Sequence, residues 1–338
     1  MTEEPRDDAT GEELPWPAGA ATGIGSLPGT DPGEAQRLVF GELPDLPFLP
    51  ELPDRGPGAE LLGRTAGLLT ELPVDLYVAR WRLTSRPGRD LRRTRDLLDR
   101  DLDELVAVAD GYTGPLKIAA GGPWTLAAGL DLPTGGSVLR DAGALRDLCA
   151  SLAEGVSRYV ADVAARVPGA RVILQLDEPS LPAVLAGRIR TESGLGTFPP
   201  MPTADIAEVL RAVIGAAGVP VVVHCCAPDV PIGLLRDAGA VAVAADLDLL
   251  LASGTGRTAV AALDALGESL DAGLGLFAGV VPTGAEQPED PDDESAGTGP
   301  SADSAGPADA VRRCWHRLGL PAERLPGQVV VTQSCGLA

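Results

Sequence analysis

The sequence predicts an α/β chain folded as one (β/α)8 barrel. Three observations predict it. Eight short apolar runs alternate with helical patterns over a single chain of 338 residues, a length that barrels of this class reach as one domain. Several runs are near-continuous Val, Ile, Leu and Ala, as expected of parallel strands covered on both faces. No G-x-G-x-x-G opens a strand–helix turn, so the competing doubly wound dinucleotide-binding sheet lacks its phosphate-binding loop.

The elements follow in order. An acidic tail, 1–17, carries Glu, Asp and Pro and is expected to be disordered; the barrel then runs over 18–338. Apolar runs at 22–27 and 47–52 supply the first two strands. A charge-laced helix over 94–110 leads to a third strand at 116–120, and a helix over 143–167 to a fourth at 172–177. The clearest helix is 204–217, where Ile206, Val209, Leu210, Val213 and Ile214 form one apolar stripe with Glu208 and Arg211 off it. Gly218 ends that helix, just before the fifth strand at 219–225. The sixth strand spans 240–245; a helix over 257–272 precedes the seventh at 274–281, and the eighth is 328–334. Between the last two lies 284–307, rich in Asp, Glu, Ser, Gly and Pro, which reads as a disordered, solvated loop insertion on the face where a barrel carries its chemistry.

Composition narrows the function. The formal net charge is −21, from 48 acidic and 27 basic residues, and aromatics are 3%. A field of that sign repels phosphate backbones and anionic membranes, so neither nucleic acid nor a membrane surface is an expected partner. The N-terminus lacks a basic, apolar leader and no run of about 18 uncharged apolar residues exists, so a cytoplasmic location is expected. Five cysteines, an odd number without a leader, point to thiols or metal ligands rather than a disulfide framework.

Chemistry in such a barrel projects from the C-terminal ends of strands. Strand five ends in His224-Cys225-Cys226 and strand eight in Gln333-Ser334-Cys335. His224 and Cys226, two apart on an extended run, share a side, while Cys225 points away. Imidazole and thiolate are the donors zinc prefers. Asp246, ending strand six, offers a fourth ligand, with Asp248 as a fallback; an open place for substrate is the other choice. Buried cysteines also serve as small hydrophobes, so spacing alone leaves both readings standing. Cys149 and Cys314 sit in helical patterns and read as packing residues. His316 reads as a surface helix residue.

Four motifs together resemble the C-terminal catalytic barrel of the cobalamin-independent methionine synthase family: Gly23-Ile24-Gly25-Ser26-Leu27-Pro28, Gln175-Leu176-Asp177-Glu178-Pro179-Ser180, His224-Cys225-Cys226 and Ser334-Cys335-Gly336-Leu337. They occur in the family's order and span nearly the whole chain, in the manner of its short, single-barrel type. The resemblance implies Zn2+ held by His224, Cys226 and Cys335, with Asp246 nearest to the family's fourth ligand, a Glu. It implies that Ser26 and Asp177 bind the amino acid, Asp177 at its amino group. Glu51 ends strand two and is a second candidate ammonium partner. Trp124, after strand three, is a candidate surface for stacking a flat methyl donor. The family's histidine after strand seven has no counterpart in 275–283.

The implied function is a zinc-dependent methyltransferase of methionine biosynthesis. The thiol of homocysteine becomes methionine at the cost of methyltetrahydrofolate or a methylcorrinoid, free or on a corrinoid protein. The competing readings are a zinc thiol methyltransferase with another acceptor, a uroporphyrinogen-decarboxylase-like barrel, a non-catalytic zinc-binding barrel, and a redox role for the vicinal Cys225-Cys226 pair.

Overall fold

The computed structural model describes residues 14–252, 257–283 and 306–338. The expected tail 1–17 and insertion 284–307 therefore lie mostly outside the described residues. At the tail's end the expectation needs correction. Trp16 is buried, meets Phe277 edge-on at 4.9 Å and donates its indole N–H to the Gly327 carbonyl. Ordered packing thus begins before residue 18.

Two extended segments, 22–27 and 47–52, flank α1 (Pro32–Glu42). Then come α2 (Leu61–Leu68), β1 (Val74–Tyr77), β2 (Arg80–Leu83) and α3 (Arg89–Val108). From there strands and helices alternate: β3 (Gly114–Gly121), α4 (Pro123–Gly129), α5 (Ala142–Arg166), β4 (Ala170–Asp177), α6 (Leu181–Leu185), α7 (Thr203–Ala217) and β5 (Val221–His224). The chain continues through α8 (Ile232–Asp237), β6 (Ala242–Asp246), α9 (Leu247–Ala252), α10 (Arg257–Asp271), β7 (Gly275–Val281), α11 (Pro307–Arg317), α12 (Leu325–Gln328) and β8 (Val329–Gln333). Gly218 closes α7 with φ 66°, the left-handed cap that its glycine predicts.

Strands β3 to β8 form one curled parallel sheet of six strands in sequence order. Eight strands were expected. Segments 22–27 and 47–52 are extended but make single bridges instead of ladders: Ala21 to Val331, Ser26 to Glu51, and Phe48 to Lys117. The physical reason is in their sequence. Pro47, Pro50 and Pro53 have no N–H to donate, so pairing cannot propagate along the second segment. The antiparallel hairpin β1–β2 was not foreseen. Its turn residues, Val78 and Ala79, take φ of 49° and 69° without the Gly or Asn that normally announces such a turn.

Alternation along the strands splits the core into two clusters. Ile173, Val222, Ala242, Ala244, Phe277 and Val330 meet Trp16, Ile24 and Leu46 inside the curl. Val172, Leu174, Leu176, Val221, Val223 and Val243 face the helices in the larger outer cluster. Each fully buried Leu, Val or Phe stabilises the fold by roughly 1.5–3 kcal/mol. The register sets strand ends side by side: Gly121 opposite Asp177, and Asp177 opposite His224.

Candidate metal centre

The inward positions of β4 and β5 turn from apolar to polar as the strands approach their C-terminal ends. Ile173 is followed by Gln175 and Asp177, and Val222 by His224. Two residues past β5 comes Cys226, and two past β8 comes Cys335. Nitrogen or sulfur donors of His224, Cys226 and Cys335 all lie within 4.8 Å of one another. Among the described residues this is the group of His, Cys and acidic side chains able to hold a metal.

The histidine is oriented from behind. Its Nδ1 lies 2.7 Å from Asp177 Oδ1, while its Nε2 is buried with no hydrogen-bond partner. A buried ring nitrogen left unpaired is costly unless something binds there. A carboxylate behind a histidine, with the far nitrogen free, is how proteins present imidazole to a metal. Asp177 Oδ1 also accepts from Gln175 Nε2 at 2.7 Å, so Oδ2 remains for a ligand. The two thiols share a hydrogen bond. Donation by Cys226 holds the Cys335 thiol below its ordinary range and pushes Cys226 up. Cys225, one residue away, is fully buried, and burial pushes its thiol up to about 12. It is absent from the cleft wall, in line with the alternation.

These donors line a cleft of about 360 Å³ together with Ser26, Glu51 and Asp177. Larger grooves, of about 670 and 920 Å³, lie among outer helices and loops and contain no such set. Glu51 is 5% exposed; its Oε1 has no hydrogen bond and stands 3.7 Å from Arg64 Nε. Burial raises its pKa to about 7 against the pull of Arg64. Ser26 Oγ donates to the Ala338 carbonyl at 2.8 Å. Gly336 passes so close that a Cβ there would meet Ser26 Oγ at 2.0 Å. Hence the Cys335–Gly336 segment and Ser26 are brought together only with glycine at 336.

Two expected site residues fall elsewhere. Asp246 accepts a hydrogen bond from the Leu249 amide at 3.0 Å, capping α9 locally, and is not in the metal group. Asp248, the fallback, is exposed on α9. Trp124 is fully buried at the start of α4, so no ring face is open for a donor to stack on. Cys149 and Cys314 are buried among apolar residues, and His316 is exposed on α11.

Sequence reasoning missed two groups. One is Lys117, on β3 and 1% exposed, which donates from Nζ to the Ile24 carbonyl at 2.8 Å and to Gln175 Oε1 at 2.7 Å. Its signal was a lone charge within an apolar run. The other is the buried set of Arg55, Arg64 and Asp101, whose guanidinium groups both pair with the same carboxylate behind Glu51. Their partners lie far apart in sequence, so spacing carries no sign of them.

The chain matches no protein-family model, and no curated protein matches it in sequence. Among solved structures it is similar to a B12-independent methionine synthase from Shewanella sp. W3-18-1 in complex with selenomethionine. That match has 11% identity and a TM-score of 0.55, and covers 95% of this chain and 91% of the other. A methyltransferase from Methanosarcina mazei aligns at 15% identity and TM-score 0.46, over 97% and 89% of the two chains. A 2,3-dimethylmalate lyase of the PEP mutase/isocitrate lyase superfamily aligns at 12% and 0.36, over 94% and 74%. At such identity the likeness is one of fold. The chain is an α/β protein of TIM-barrel-like architecture with a His–Cys–Cys cluster at the C-terminal ends of its strands.

Proposed function

We propose that this chain is a zinc-dependent methyltransferase whose acceptor is the thiol of homocysteine. One observation carries the reading: His224, whose buried Nε2 has no hydrogen-bond partner, offers a ring nitrogen within 4.8 Å of the Cys226 and Cys335 sulfurs. The donor set fits the metal, since one imidazole and two thiolates are preferred zinc ligands. His224, Cys226 and Cys335 would hold it. With Asp246 engaged as a helix cap, three protein ligands leave a place for substrate, the hallmark of a catalytic rather than a closed structural site. When bound, zinc supplies the positive charge that keeps a thiol in its nucleophilic thiolate form at neutral pH.

The chain's own residues do the rest. Asp177 and Glu51, carboxylates of the cleft wall, receive the amino acid's ammonium. Ser26 Oγ, at the opposite wall, orients its carboxylate once it releases Ala338. Anchoring both ends presents the sulfur to the donor in line, and such orientation lowers a barrier by several kcal/mol. The new S–C bond forms as the bond between methyl and donor breaks. The donor is methyltetrahydrofolate or a methylcorrinoid, and the −21 charge of the chain argues against nucleic acid as a partner. Among the described residues no helix is long and apolar enough to cross a membrane.

A labelled-methyl assay of the zinc-loaded full chain tests this, with homocysteine offered each donor in turn. Methionine formed from one of them, and abolished in Cys226→Ala, is the expected result. No methionine from either donor, with zinc bound, would contradict the acceptor assignment.

A further inference from the structure

Lys117 has no place in the expected chemistry, yet it is a charged amine sealed inside the curl of the sheet, 1% exposed. Burial lowers its pKa to about 8, so it still carries its proton at neutral pH. A lysine ammonium can only donate hydrogen bonds. It donates to Gln175 Oε1 at 2.7 Å, which makes that end of the amide the acceptor. The other end is pinned independently, because Gln175 Nε2 faces the Ile24 carbonyl at 2.8 Å, and a carbonyl can only accept. A flipped amide would set donor against donor and acceptor against acceptor. Gln175 therefore presents N–H to Asp177 Oδ1 at 2.7 Å. The same Oδ1 faces His224 Nδ1 at 2.7 Å, and since it already accepts from Gln175 it carries no proton to give. The Nδ1 proton is thereby fixed, and Nε2, buried and without a hydrogen-bond partner, is left as the lone pair.

We propose that Lys117 is a positioning residue. Through Gln175 and Asp177 it fixes the direction of a buried hydrogen-bond chain that holds His224 with Nδ1 protonated and Nε2 presented to the metal. The proposal rests on the zinc-centre reading above and deepens it. Lys117 touches neither metal nor substrate. Its effect is on which nitrogen is offered and how tightly the metal is held.

The test uses the 15N-labelled full chain loaded with zinc, with Lys117→Met and Gln175→Met as variants. Zinc affinity is measured by competition with a chromophoric chelator. With only two histidines in the chain, one of them the exposed His316, the His224 ring resonances can be assigned. The wild type is expected to bind zinc through Nε2, with a slowly exchanging Nδ1 proton. Each variant should lose roughly 10–100-fold in zinc affinity, as other orienting partners of metal-bound histidines do, and its Nδ1 proton should exchange faster. Should Lys117→Met fail to fold, Gln175→Met decides by the same readings. Coordination through Nδ1, absence of zinc binding in the wild type, or a folded variant with unchanged affinity and exchange would overturn the proposal. Zinc held through Nε2 without methyl transfer would sink the homocysteine reading and leave this one standing.

Discussion

Asp177 and Glu178 are neighbours in sequence, but they serve two regions built on opposite principles. Glu178 turns outward beneath α4. Its carboxylate accepts from the Trp124 and Thr125 amides at 3.0 and 2.8 Å and from Thr125 Oγ1 at 2.8 Å. Asp177 turns inward to the cleft and commits one oxygen, leaving the other. In the cleft wall, Glu51 Oε1 and His224 Nε2 lack hydrogen-bond partners. Saturated buried polar groups bind elements together; unsaturated ones that line a cleft beside metal-type donors point to a ligand that completes the site.

The largest effect that could break this comparison is on stability. Glu178→Ala orphans two buried amides and a hydroxyl, at about 1–3 kcal/mol each. Chemical denaturation should show a loss of several kcal/mol. A loss under about 1 kcal/mol would refute the binding role of the outward carboxylate. Asp177→Asn is expected to act oppositely. The fold should change little, while zinc affinity falls roughly 10–100-fold; equal affinity would mean that Asp177 does not orient His224.

A smaller effect sharpens the contrast through pH. Glu51 titrates at about 7 in the fold against 4.5 when solvated, because burial disfavours its charge. A raised folded pKa contributes stability that is complete below 4.5 and lost as pH rises through 7. The metal-free chain should lose stability across that window, and Glu51→Gln should reduce the slope by on the order of 1–3 kcal/mol in total. Glu178, also raised to about 7 by burial, keeps part of the slope in the variant. An unchanged slope in Glu51→Gln would show that Glu51 is not titrating there.

The sequence made the outward face of this fold easier to read than the inward one. Near-continuous runs of Val, Ile and Leu announced β3 to β8, and the stripe through Ile206, Leu210 and Val213 announced α7. Prolines 47, 50 and 53 explain why an apolar run became an extended segment without a ladder. His224 and Cys226 were legible because strand alternation puts residues two apart on one side. Cys335 was legible because strand ends converge. Asp246 caps α9 and stands outside the His–Cys–Cys group, a local role that leaves the same residue type at the same place and that spacing does not reveal. Trp124 is fully buried instead of open to a donor, because a strand-end position does not reveal which side of the sheet a ring enters. The chain from Lys117 through Gln175 was invisible, because it joins single polar residues 58 positions apart.

The central claim, that β5 and β8 share a zinc ion, is tested most directly by elemental analysis of wild type and Cys335→Ala, both purified without chelator. About one zinc per wild-type chain with most of it lost in the variant is the predicted result. Zinc absent from the wild type, or retained in full by the variant, would contradict the account.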